Sequence, residues 1–577
     1  MHKLSTLVIS LGLALALQAA FSGELEASWF WTQSDWSGGA YASADSVDAE
    51  VEPGELVLAG DPDQLIPAFD PTALPGVWAM AVWRGKLYMG ACTFPMSVSD
   101  GDILIYDCAS DSSWIDYPVY EQGICVLRTH EDRIFSPGPD NLGTHFLGNL
   151  YLNEGGGWLR KETIPQAVHV DDVAFWDDRI WVTTGTAIFP DFPGVLYSSS
   201  DLGDTWVEEL RVVPVAGENF RRLYGAYAWN GSLFVQTDWK APEGKRIFEL
   251  TGTSILNHTV EASGDECLAG FAEFHGELVV LTRTIVDFYD GQSWDWMILP
   301  AWSQNWVCRA LIVYQGRLYL GGYQGLHASA DRVNWTPIQV SPLTGREFES
   351  LAQYHGRLYA GTLPNGEVFV TPAAGTGMLV SLAHAFPAPI CEGTLSFNAL
   401  EPPGTNVRFQ LRSAPSEAEL ASAEYLGPDG SGGSWYEASG TAMAAAHCGH
   451  RWFQYRALLE TGDPRLAPVL EEIVLEVDNT GTGVPGDGTW TPGSLAVWPN
   501  PFVSELRVAL SGPAGGRLRV YDPQGRCVRD LGQAAPGQAL IWDGRDARGS
   551  RVSAGIYLLQ VEGAAGPGPS QRVLRLH

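Results

Sequence analysis

The sequence predicts an all-β chain: a seven-bladed β-propeller over residues 61–375, followed by two further β modules. Three observations predict it. Hairpin-like segments recur through the middle of the chain, longer alternating strands begin near residue 377, and a Gly, Thr and Pro-rich stretch at 478–494 precedes a last alternating segment. A length of 577 residues suits three or four units rather than one.

The first element is a targeting segment. "MHKLSTLVISLGLALALQAAFSG" has a basic start at Lys3, an apolar run from Leu7 to Leu17, and small residues around Ala20 and Ser22. This is the pattern of a secretory signal peptide, placed at residues 1–22. The run is shorter than the roughly 20 residues that span a bilayer, and no later segment is long and apolar enough, so no transmembrane span is expected. Residues 23–60 read as an acidic N-terminal extension in which "GELVLAG" near Leu56 is a strand that could close the propeller. A formal charge of −32 argues against nucleic acid and anionic membranes as partners, because both need clustered Lys and Arg. Export permits disulfides, and Cys92 with Cys108, Cys267 with Cys308, and Cys391 with Cys448 are the candidate pairs. No His or Cys spacing matches a zinc site.

The propeller rests on seven repeats: "VWRGKLYMG", "THEDRIFSPG", "FWDDRIWVTTG", "AWNGSLFVQT", "EFHGELVVLT", "VYQGRLYLGG" and "QYHGRLYAGT". Their marker residues Leu87, Ile134, Ile180, Leu233, Leu278, Leu318 and Leu358 stand 40 to 53 residues apart. Each repeat is an apolar strand, a tight turn and a second alternating strand, and most run on to another turn with a Trp nearby. Four short strands in that length make one propeller blade.

Within the third repeat, "SSDLGDTW" contains Ser199, Asp201, Gly203, Thr205 and Trp206 in the order Ser-x-Asp-x-Gly-x-Thr-Trp. It resembles the Asp-box of sialidases and many other propeller proteins, and "SADRVNW" at Ser329 to Trp335 is a degenerate second copy. Each residue has a structural use: Ser199 and Asp201 can satisfy backbone donors in the hairpin, Gly203 can take a positive φ, and Trp206 can pack on a neighbouring strand. The motif therefore marks blades rather than catalysis.

Aligning the first strands gives the candidate ligand site. Three residues before the aligned aromatic or His, every blade has an apolar residue, as expected of inter-blade core. Five before stand Trp78, Cys125, Asp171, Tyr224, Ala269, Arg309 and Glu349; seven before, the set includes His169 and Arg222. If these strands are innermost, the varied positions lie at one mouth of the central channel, and Asp171, Arg222, Tyr224, Arg309 and Glu349 are the candidate ligand-binding group. The same residues allow an enzyme reading, with Arg222 and Arg309 on a carboxylate, Tyr224 with Glu349 as nucleophile, and Asp171 as general acid. Against it, the Arg-Ile-Pro element of sialidases is missing, and so are HExxH, GxSxG and phosphate-binding glycine loops.

Residues 377–477 form the next module. "GTLSFNAL", "GTNVRFQLRSA", "RWFQYRALLET" and "PVLEEIVLEV" alternate as an antiparallel β-sandwich does. The segment resembles the jelly-roll-like domains appended to secreted bacterial propellers and hydrolases. After the linker, residues 495–577 carry Pro499, Asn500, Pro501 and Phe502, then "LRVYDPQGRCVRDL", "WDGRDARGSRVSAGIYLL" with Trp542, Asp543, Gly544, Gly555 and Tyr557, and a terminal "RVLRL". These elements resemble a FlgD-type Ig-like domain and the related C-terminal sorting domain of type IX secretion cargo. The resemblance implies an Ig-like β-sandwich and export machinery as a partner, and the many arginines of this tail offer a charge opposite to the rest of the chain.

These features imply an exported bacterial binding protein, at the cell surface or extracellular, that uses a propeller face to hold a glycan or an extracellular protein. A secreted carbohydrate-active enzyme and a structural adhesin or scaffold are the alternatives. No cofactor is identified. Calcium could sit in Asp-rich turns such as "SDGDI" from Ser99, although a hairpin turn explains that spacing as well.

Overall fold

The computed structural model describes residues 28–50, 52, 54–69, 76–92, 101–119, 121–140, 146–189, 191–214, 220–237, 245–260, 270–281, 285–298, 310–322, 325–340, 347–478, 494–498, 502, 506–511, 516–521, 527–534, 539–547, 551–552, 555–563 and 566–575. The signal-peptide segment, Cys267, Cys308, Ser99, Asp100, Arg309, Pro499, Asn500 and Pro501 lie outside them. Among the described residues, no helix is long and apolar enough to cross a membrane.

Six antiparallel sheets of four strands, joined in sequence order, and a seventh sheet in which Gln339–Val340 adds a parallel fifth strand, form the propeller. Their first strands are Val77–Trp83, Arg128–His130, Ala167–Trp176, Leu223–Trp229, Gly270–Phe274, Leu311–Tyr314 and Glu347–Tyr354. The repeat works because in six of the seven blades the turn after the first strand has two residues at positive φ, and in the second blade Glu131 alone, at +50°. Arg84 and Gly85 stand at +47° and +67°, Asn230 and Gly231 at +47° and +81°, His355 and Gly356 at +46° and +67°. Both central residues are left-handed, as in a type I′ hairpin, which is why glycine recurs at the second position. The third-to-fourth-strand turns of three blades are held instead by an aspartate. Asp201 accepts from Thr205 N at 2.9 Å and Thr205 Oγ1 at 2.6 Å. Asp290 accepts from Gln292 N and Ser293 N, and Asp331 from Val333 N and Asn334 N. These bonds to the charged form hold the Asp201 carboxyl down near 2. Ser199 Oγ takes the Gly203 amide at 2.8 Å, Gly203 sits at φ +84°, and Trp206 Nε1 reaches across to Thr163 Oγ1 at 3.0 Å.

Ring closure differs from the expectation. The fourth strand of the seventh blade is Gln64–Phe69, antiparallel to Val368–Val370. Leu56–Leu58, the "GELVLAG" strand, pairs instead with Val469 and Leu470 of the downstream sandwich. The acidic segment before the propeller therefore contributes strands to the sandwich: Ser28–Gln33 pairs with Val469–Asp478, and Tyr41–Asp45 with Thr376–Ser381. The sandwich is assembled from residues on both sides of the propeller, which is inserted between its strands. Trp36 explains the attachment. It is fully buried among Leu379, Phe409, Phe453 and Leu475, and its indole N–H donates to Tyr455 Oη at 2.7 Å.

Cys391 and Cys448 are disulfide-bonded in the sandwich, whereas Cys92 and Cys108 are separate buried thiols. Cys108 accepts from Tyr354 Oη at 3.2 Å, and Cys92 packs with Trp78, Cys125 and Leu363. The C-terminal unit has two sheets, one of three strands and one of four, around Phe502, Leu506, Val520, Trp542 and Tyr557. The Trp542 indole N–H donates to the Arg545 carbonyl at 2.9 Å, and its ring meets Tyr557 edge-on at 5.1 Å. Asp543 accepts the Arg545 amide, and Gly544 at φ +67° lies against the buried Arg575 side chain. Gly555 opens the strand Gly555–Gly563.

Candidate functional site

Each inner strand starts at the same face of the propeller, and four of them are irregular at the same aligned position. The pairing register shifts around Trp78, around Asp171, around Tyr224 and around Glu349, one extra residue in each case. A bulge re-aims a side chain that would otherwise follow the two-residue alternation of the strand. All four are buried, Glu349 completely. Trp78, Cys125, Arg128, Phe271, Leu311 and Glu349 border a cavity of about 90 Å³ in the channel. That is room for a few waters, given ~30 Å³ for each in the liquid, and far less than a sugar ring needs. Of the five predicted ligand residues, Glu349 borders this cavity, while Asp171 and Tyr224 are buried at the corresponding bulges of their own blades rather than exposed at an open mouth.

The neighbouring residue carries the visible bracing. Asp172 is fully buried and takes the Arg128 guanidinium through two N–H groups, at 3.2 and 3.4 Å. It also accepts the backbone amides of Val173 at 2.9 Å and Ala226 at 3.3 Å. One carboxylate thereby joins the inner strands of blades two, three and four. The alignment passed over it because only every second residue was compared.

Arg222 is placed apart from that ring, in a second, open pocket of about 370 Å³ between blades three and four. The volume lies in the range of small-molecule sites. Its stem lies flat on Gly185, where a Cβ would meet Arg222 Cγ at 2.8 Å and Cδ at 3.1 Å. Its guanidinium is 5.5 Å from the Phe220 ring centre. One Nη2–H is directed at His169 Nε2, and His169 Nδ1 lies 2.8 Å from the Pro139 carbonyl. A carbonyl only accepts, so Nδ1 carries the proton and Nε2 offers its lone pair to the arginine. The imidazole thus acts as a prop that fixes the guanidinium.

The loop between the second and third strands of blade three forms the far wall. Phe192 lines the pocket at φ +41°, a conformation unfavourable for a bulky side chain. Hydrogen bonds on both sides impose it: Phe192 N donates to Ile188 O at 2.8 Å, and Arg221 N to Phe192 O at 2.9 Å. Phe189, 81% exposed, meets Phe192 edge-on at 6.0 Å. Sequence comparison passed over this loop because it falls between repeats, although two Phe beside two Pro in "IFPDFPG" is an apolar signal in a loop.

The segment 138–140 that props His169 is itself pinned by Glu121. This fully buried carboxyl accepts from Asn149 Nδ2, from Tyr151 Oη at 3.1 Å and from Asp140 N at 3.2 Å. Burial outweighs those bonds and raises it to about 7. Ionisation is easier in the unfolded chain, near 4.5, so stability falls as pH rises from about 4.5 to 7 and is level above that. Glu121→Gln is expected to remove this decline, a difference of roughly 3 kcal/mol at most, measured by urea unfolding at pH 5 and pH 8. An equal slope in both proteins would refute it.

Arg309 lies outside the described residues, as do Ser99 and Asp100. Among the described residues, no three His, Cys, Asp or Glu side chains gather as metal ligands.

No family model matches the chain, and no curated protein matches it. Solved structures do. The extracellular domain of a one-component system of B. thetaiotaomicron is 10% identical at a TM-score of 0.39, over 92% of this chain and 62% of its own. A structure described as the extracellular domain of a hybrid two-component system of the same organism is 10% identical at 0.37, again over 92% of this chain and 62% of the other. The chain therefore spans less than two thirds of either. The polysaccharide lyase Uly1 is 9% identical at 0.36, over 51% of this chain and 89% of the lyase.

Proposed function

We propose that the chain is an exported bacterial binding protein that holds a glycan or an extracellular protein on the propeller face where the inner strands begin. The observation that carries this reading is the pocket of Arg222 and His169. A guanidinium laid on a glycine, propped by an imidazole and walled by phenylalanines is positioned in advance for a ligand. The enzyme reading has less support: Tyr224 and Glu349, its nucleophile pair, are both buried, and the cavity that Glu349 borders is too small for a sugar. The signal segment and the Ig-like C-terminal unit give the route, with export machinery reading that unit. Intact-mass measurement of cell-surface and medium fractions tests the route, since a retained His577 would make the unit a working module rather than a removable signal.

The binding reading is tested with the full chain on arrays of glycans and of extracellular matrix proteins. Binding that Arg222→Ala weakens at least tenfold is expected. Binding indifferent to Arg222, or none on either array, would refute the site.

A further inference from the structure

Resting on that reading, we infer that the Arg222 pocket takes a glycan bearing a single carboxylated sugar, with the flanking neutral sugars lying on an aromatic shelf beside it. Three adjoining segments build the shelf. Gln166 N donates to the Phe146 carbonyl at 2.8 Å, and Ala187 N donates to the Gln166 carbonyl at 2.9 Å. Blade two's Phe146, the blade junction at Gln166 and the Phe189 loop of blade three therefore run side by side on one face. Phe146 is 75% exposed and Phe189 81%. Two nearly bare phenyl rings on a water-facing surface are costly unless something covers them. The apolar C–H face of a pyranose is a suitable cover, because it gives up little hydration and matches a ring in width.

Phe189 leads through its edge contact with Phe192 directly to the pocket. There the fixed group is a guanidinium whose planar N–H edge matches a carboxylate, the acidic group a sugar carries without adding bulk beyond its ring. A net charge of −32 weighs against a ligand with many acidic groups. A polyanion would be repelled by the whole molecule, whereas one carboxylate among neutral sugars meets the local cations, Arg222 with Arg221 beside it in the pocket lining. His169 contributes a further selection. Its lone pair already receives Arg222, so it holds the guanidinium edge-on to the pocket and presents no second charge to a ligand.

The full chain is to be titrated with pairs of oligosaccharides: a neutral tetrasaccharide carrying one glucuronate or one sialate, and the same compound after reduction of the carboxyl to an alcohol. The acidic member is expected to bind roughly tenfold or more tightly, the worth of one charge-assisted hydrogen-bond pair. Arg222→Gln should abolish that preference, and Phe189→Ala should weaken both members alike. Equal binding of the two members, both weakened by Phe189→Ala, would overturn the carboxylate assignment and leave a glycan-binding face. Failure of every member to bind, with matrix-protein binding retained, would overturn the glycan assignment altogether.

Discussion

Replacing Trp36 by Ala is expected to destabilise the sandwich by about 3–5 kcal/mol, the range for emptying a large aromatic site in a core. Trp36 is completely buried, and its hydrogen bond to Tyr455 Oη is one end of a chain, since that hydroxyl donates on to Gln33 Oε1 at 2.7 Å. Alanine would leave both a cavity and a buried hydroxyl without its donor. Loss of the anchor also frees the segment it anchors. Without Ser28–Gln33 and Leu56–Leu58, the edge of Val469–Asp478 is unpaired; without Tyr41–Asp45, so is the edge of Thr376–Ser381. Two bare edges on opposite sheets invite pairing with other chains. Removal of residues 28–58 should therefore make the chain aggregate more than the intact one, followed by light scattering, with protease cleavage appearing first between residues 376 and 478. A truncated chain that stays monodisperse and resists protease would show that the N-terminal strands are dispensable.

This arrangement also shows what the sequence could and could not reveal. Blade number was legible because six of the seven blades repeat a local demand, two left-handed residues in one turn, and Gly85, Gly231 and Gly356 answer it in the sequence itself. Closure was not, because "ELVLAG" and "QLIPAF" are both short apolar runs, and the choice between propeller and sandwich is made by partners some three to four hundred residues away. The candidate site divides in the same way. Aligning strand starts found Asp171, Tyr224 and Glu349 as one set, and the structure places each at a bulge near the start of its inner strand. It could not anticipate that a bulge at each would bury it. Arg222 was found for its charge, whereas the residues that make it a site, Gly185 beneath it and Phe192 beyond, come from a different strand and a loop with no repeat to align.

The joint between propeller and sandwich depends on one guanidinium, and its loss should be nearly as costly as that of Trp36. Arg357 is 2% exposed on the second strand of the seventh blade. It donates to the carbonyls of Pro464 and Arg465, both at 2.7 Å, and to Thr371 within its own blade. Burial lowers its affinity for a proton, yet the three carbonyls give the cation a solvation shell that water no longer provides. Removing it strands the buried Thr371 carbonyl at about 1–3 kcal/mol, unties two partly buried carbonyls and empties a buried site, so Arg357→Ala should cost on the order of 3 kcal/mol. Arg357→Lys should recover little, because one ammonium cannot reproduce the fork that reaches all three. The loop it grips also holds Arg465, which donates to Ala68 O at 2.9 Å on the strand that closes the ring. Closure of the propeller and docking of the sandwich are thus coupled through residues 463–467. In urea, the wild-type chain should unfold these two units together, and Arg357→Ala should split the transition, the sandwich leaving first. A single transition with an unchanged midpoint in the variant would mean that the joint is held elsewhere, through Gln353 with Glu52 and His355 with Glu55.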